Sequence, residues 1–78
     1  PVSDQLNVQF NSLKDGWHQI ILYDLTGQKV YSLYEGELSA GDLWKEIFQM
    51  RELESGMYSL VFSSPGGVQI AKKIIIQH

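Results

Sequence analysis

Apolar and polar residues alternate with a period of two over most of the chain. Leu6, Val8 and Phe10 alternate with Gln5, Asn7 and Gln9, the pattern of a strand with one face buried and the other wet. Residues 11–16 are polar and turn-forming, with Asp15-Gly16 suited to a turn that needs positive φ, before strand composition resumes from Trp17 to Asp24. Leu25-Thr26-Gly27 breaks that run, and Gln28 to Tyr34 continues with Val30, Tyr31 and Leu33. The spacing predicts a hairpin around Asp24 to Gly27, with Gly27 as its left-handed residue. Glu35 to Asp42 carries two Gly, one Ser and three carboxylates and reads as an exposed crossing loop.

Leu43, Ile47 and Met50 fit a helical face, but Trp44, Ile47 and Phe48 suit a pleated surface, and Leu43 to Phe48 is read as a strand. From Met57 to Ser63, Tyr58, Leu60 and Phe62 fall on one face against Ser59 and Ser63 on the other, the clearest interior strand of the chain. Ser64-Pro65-Gly66-Gly67 is a turn, because Pro presets φ and the glycines tolerate positive φ. It leads into a final strand from Val68 to about Gln77, expected to pair antiparallel with its predecessor. Six or seven short strands punctuated by Gly turns predict an all-β fold, an immunoglobulin-like antiparallel β-sandwich.

Composition narrows the function. At 78 residues the chain is one domain, too small for an elaborate catalytic cleft. It has no Cys, so neither disulfides nor a thiolate metal site supplement the core. A net charge of −3, with no basic cluster beyond Lys72-Lys73, speaks against nucleic acid as a partner. The longest apolar run, Ile20 to Tyr23, is far short of the roughly 20 residues of a membrane-spanning helix. The chain begins at Pro1 without Met, which raises the expectation of a piece cut from a larger protein.

Catalytic chemistry lacks its parts. His18 and His78 sit far apart in sequence without metal-ligand spacing, so no cofactor or metal is expected. Asp24-Leu25-Thr26-Gly27 resembles the Asp-Thr-Gly of aspartic proteases but holds an extra residue and is read as a turn. Neither a G-x-S-x-G elbow nor a phosphate-binding G-x-x-x-x-G-K-[ST] loop is present. Glu35, Glu37 and Asp42 are read as solvated carboxylates.

The order of the segments is more specific than any one of them. An alternating strand is followed by Leu22 to Val30 with its Asp24 and Gly27, then by Leu53 to Leu60 with Gly56 and Tyr58. Last comes Gly67 to Ile76 with Lys72 and Lys73. This succession resembles the type A C-terminal sorting domain of the type IX secretion system of Bacteroidetes-type bacteria, over nearly the whole chain. The resemblance implies a single non-catalytic domain over residues 1–78 at the end of a larger secreted cargo protein. It would be recognised by the outer-membrane translocon and usually removed by a surface sortase. The implied route is the periplasm in transit, then the outer membrane, the cell surface or release. Asp24, Gly27, Gly56 and Tyr58 map onto the family's structural motifs. The terminal glycine and lysine fall on Gly67 and on Lys72 or Lys73.

The tail has its own physical reading. Val68, Ile70, Ile74 and Ile76 share one parity, which Lys72 interrupts, while Lys73 shares the opposite parity with Ala71, Ile75 and Gln77. An unpaired buried ammonium is costly, so Lys72 must snorkel at a rim, pair with a carboxylate, or sit beside a bulge. The expectation is an accessible final strand, with Gly67, Lys72, Lys73 and Ile74 to His78 offered to a receptor by strand addition. The same edge is open to homodimer formation. A second reading, from a different class, is an immunoglobulin-like accessory module that binds carbohydrate or spaces domains in a surface protein. Trp17 and Trp44 would then form a stacking platform, against the plainer expectation that at least one of them fills the core.

Overall fold

A computed structural model describes residues 5–77. Six strands follow one another: β1 (Gln5–Asn11), β2 (Gly16–Tyr23), β3 (Lys29–Leu38), β4 (Leu43–Gln49), β5 (Gly56–Ser64) and β6 (Val68–Ile76). They form two antiparallel sheets, β1-β4 and β3-β2-β5-β6. Period-two patterning fixes which faces meet. β1 buries Leu6 and Val8, β2 buries His18, Ile20 and Leu22, and β5 buries Leu60 and Phe62, with Leu33, Met50 and Ile76 completing the core. Each such aliphatic side chain contributes about 1.5–3 kcal/mol on leaving water.

Aromatic contacts show how the layers lie on one another. Trp44 on β4 packs against Tyr34 on β3 at 5.1 Å, and Phe48 approaches Tyr31 edge-on. Phe10 on β1 stacks on Phe62 of β5 at 5.5 Å and meets His18 of β2 edge-on. The two-stranded sheet therefore spans β3, β2 and β5.

The chain crosses between sheets after β1, after β3 and after β4, and the first two crossings are tied together. Ser12 N–H donates to the Asp42 carbonyl, Gly41 N–H to the Ser12 carbonyl, and Ala40 N–H to Asp15 Oδ1 at 2.7 Å. Beneath them His18 is fully buried, with Nδ1 2.8 Å from the Gly16 carbonyl and Nε2 3.2 Å from Ser12 Oγ. Ser12 in turn donates to the Lys14 carbonyl at 2.7 Å. A buried polar group left without partners would cost about 1–3 kcal/mol, and each side-chain polar atom of this pair has a neighbour within hydrogen-bond distance.

β3 departs from the expected pattern in two ways. The exposed loop expected over Glu35 to Asp42 is strand as far as Leu38, with Glu35, Gly36, Glu37 and Leu38 opposite Gln19, His18, Trp17 and Gly16. Its glutamates face solvent on the outer side of the sheet. The inward positions are Gly36 and the half-buried Leu38, and at Gly36 a Cβ would lie 2.7 Å from the Tyr34 hydroxyl. A glycine at one of two core-facing positions weakens the apolar alternation. Only residues 39–42 turn, closed by Ser39 N–H on Asp42 Oδ2 at 2.9 Å. β3 also carries two register shifts against β2, which leave Leu33 and Val30 as extra residues that pack inward.

Candidate recognition site

Among the described residues β6 is an edge strand that pairs only with β5, in unbroken register from Ser64↔Val68 to Gly56↔Ile76. Residues directly opposite one another in an antiparallel pair share a face. Ile70 lies opposite Phe62 and Lys72 opposite Leu60, so both point to the core side, while Lys73, opposite Ser59, points outward. No bulge relieves Lys72, and no carboxylate pairs with it among the described residues. It is exposed, so of the three ways to place this ammonium the fold uses the rim.

The core-side parity of β6 is only half covered. Ile76 is completely buried and Ile74 packs against the core, but Val68 is 46% exposed and Ile70 51% exposed. Parity grouped all four together. The difference arises because the small sheet is two strands wide and ends over β5, so at the Val68 end no described strand lies above β6.

The motif residues gather at one end of the large sheet. Asp24 Oδ1 accepts hydrogen bonds from Thr26 Oγ1 at 2.6 Å, Thr26 N–H at 2.9 Å and Gln28 N–H at 3.0 Å. Gly27, at φ +85°, donates to the Asp24 carbonyl, and a side chain there would be strained. The Thr26 hydroxyl above all, then the Gln28 N–H, holds the Asp24 carboxyl below the usual carboxylate range. Tyr58 packs its ring against the core and donates its hydroxyl to the Glu54 carbonyl at 2.7 Å.

Asp24, Leu25, Val30, Leu53, Gly56 and Tyr58 line one open depression of about 440 Å³. Ile74, Ile75 and Ile76 pair with Tyr58, Met57 and Gly56 at the same end. Gly67, at φ +80°, lies at the other end of β6 in the turn from β5, and Lys72 and Lys73 lie midway. Gln77 follows β6 and is exposed, and His78 lies outside the described residues.

Other candidates are not brought together. Trp44 is half-buried between the layers, whereas Trp17 is 54% exposed on the outer face of the large sheet, so the two form no common platform. Among the described residues no three His, Asp or Glu side chains gather as a metal site. Sequence reasoning missed Leu13, an exposed apolar residue within a polar connection, and the cavity of about 180 Å³ that it lines with Phe10, Val68 and Ile70. The only available sign was one leucine out of place in a turn.

No curated protein and no solved structure matches the chain. A family model, in contrast, matches residues 1–77, taking in the Asp24 turn, the Gly56–Tyr58 segment and all of β6. With that match the chain belongs to the secretion system C-terminal sorting domain family, the non-catalytic sorting signals of type IX secretion.

Proposed function

We propose that this sorting signal is recognised in its folded state and that β6 is the element that is read. The observation carrying this reading is that β6 offers nine residues of regular edge strand, open along one side, with two ammonium groups at its middle. A receptor strand can complete that ladder, and the lysines restrict which strands fit. In this reading the two sheets constitute an immunoglobulin-like sandwich, and residues 1–78 are one module of a larger secreted cargo protein. The outer-membrane translocon engages β6 and its flanking turns after the cargo reaches the periplasm. A surface sortase then removes the module, leaving the cargo at the cell surface or released.

The test is export of a periplasmic reporter fused to the domain in a type IX-competent host. Removing residues 74–78 would take away the buried Ile76 and unfold the module, so the sharper variant is Lys72→Ala with Lys73→Ala. Both side chains are exposed, and such changes usually alter stability by less than about 0.5 kcal/mol. Surface delivery is expected to fall at least severalfold while the melting temperature holds. Unchanged delivery would remove β6 as the recognised element.

A further inference from the structure

The small sheet lacks a strand where the large sheet has one to cover. β4 lies over β3 and β1 over β2 and β5, as the Trp44–Tyr34, Phe10–His18 and Phe10–Phe62 contacts show. Among the described residues β1 pairs with β4 alone, so its other ladder edge is open, and that edge looks out over β6. Between them lies the cavity lined by Phe10, Leu13, Lys14, Val68 and Ile70. Val68 and Ile70 form its floor, Lys72 follows them on the core-facing side of β6, and Lys14 stands at the Val68 end beside Gly66. The vacancy has an apolar centre with an ammonium group at each end.

We propose that this vacancy is a docking groove for an extended segment of another protein. That segment adds to β1 as a third strand and covers β6 with alternating apolar side chains bracketed by carboxylates. The unpaired backbone of β1 requires an extended conformation, since only a strand satisfies a ladder edge along its length. Val68 and Ile70 require apolar residues two positions apart, because alternate side chains of a strand face the same way. Lys14 and Lys72 select carboxylates at the flanking positions on that face.

A second copy of this chain does not fit. Its β1 sits on its own β2 and β5, which would have to occupy the space that β6 already fills. The occupant is a strand that arrives without a second layer beneath it. This surface is separate from the outer ladder edge of β6, and either can be engaged without the other.

The experiment uses the 78-residue chain and a seven-residue peptide, the length of β1. The peptide has glutamate at both ends, valine at its third and fifth positions and threonine at the even positions, so its inward face reads the same in either direction. Binding is expected to protect alternate β1 amides from hydrogen exchange and to shift the Val68 and Ile70 methyl resonances. A peptide with lysine at both ends should bind at least tenfold more weakly, and Lys14→Glu with Lys72→Glu should reverse that order. Ile70→Gln, at a half-exposed position, should weaken both peptides without loss of protection in β2. Equal binding of the two peptides, protection on β6 amides rather than β1, no binding, or a dimer protecting the same β1 amides would each overturn the proposal.

Discussion

The two edges of the large sheet have been treated in opposite ways. β3 is ten residues long but interrupted by two bulges, with Glu35 and Glu37 on its outer side and β4 aromatics above it. β6 is nearly as long, unbulged and half uncovered, with Lys72 and Lys73 at its centre. The bulges at Val30 and Leu33 spoil the spacing that an incoming strand needs, so the first half of β3 is closed to partners by its backbone, while Glu35 and Glu37 guard the regular stretch beyond it. β6 keeps that spacing and is guarded only by charge: two β6 strands paired about Lys72 would set ammonium groups opposite one another. A backbone guard excludes every strand, whereas a charge guard excludes some and admits others. The recognition proposed for β6 needs the second kind.

The comparison can be broken first along β6 itself. Ile76→Ala removes a fully buried side chain and should cost about 2–5 kcal/mol. At roughly 4–8 °C per kcal/mol for a domain of this size, melting should fall by about 10 °C or more. Ile70→Ala, on the same face but in the uncovered half, should cost less than about 1 kcal/mol. Equal losses in thermal denaturation would mean that the two halves of β6 are covered alike.

Next in size is self-association. Replacing Lys72 and Lys73 by Val should yield dimers or larger species in sedimentation at concentrations where the parent chain is monomeric. Replacing Lys29 and Ser32 by Val, beside the bulges at Val30 and Leu33, should leave β3 unpaired. Association by both variants would show that the bulges guard nothing.

The smallest effect concerns the turn at the β2–β3 corner. The folded Asp24 carboxyl titrates below its unfolded value. Its contribution to stability is therefore complete above the unfolded value and disappears as pH falls through the folded one. Wild-type protein should lose slightly more stability than Asp24→Ala between neutral pH and the bottom of the carboxylate range. Parallel acid limbs in the two stability curves would contradict the hydrogen-bonded turn.

Much of this fold was legible because single residues settle single strands. Leu6 and Val8, or Leu60 and Phe62, announce their faces by alternation, and Asp24 with Gly27 announces a turn through local hydrogen bonding alone. The far end of β3 was not legible, because Gly36 leaves a gap in its inward face and its glutamates mimic a loop. Nor could the sequence divide Ile70 from Ile76. Parity assigns a side chain to a face, and only the width of the opposing sheet decides whether anything lies upon it. Asp24 is far along the chain from Gly56 and Tyr58 and shares a depression with them through the pairing of β2 with β5.

The placement of Ile76 has a consequence for synthesis. This side chain seals the interior opposite Gly56, twenty positions earlier in the chain. A nascent polypeptide interrupted before that point leaves the interior open to water. Folding is completed only once β6 has been made, so a chain stopped short of it has no sealed interior to present.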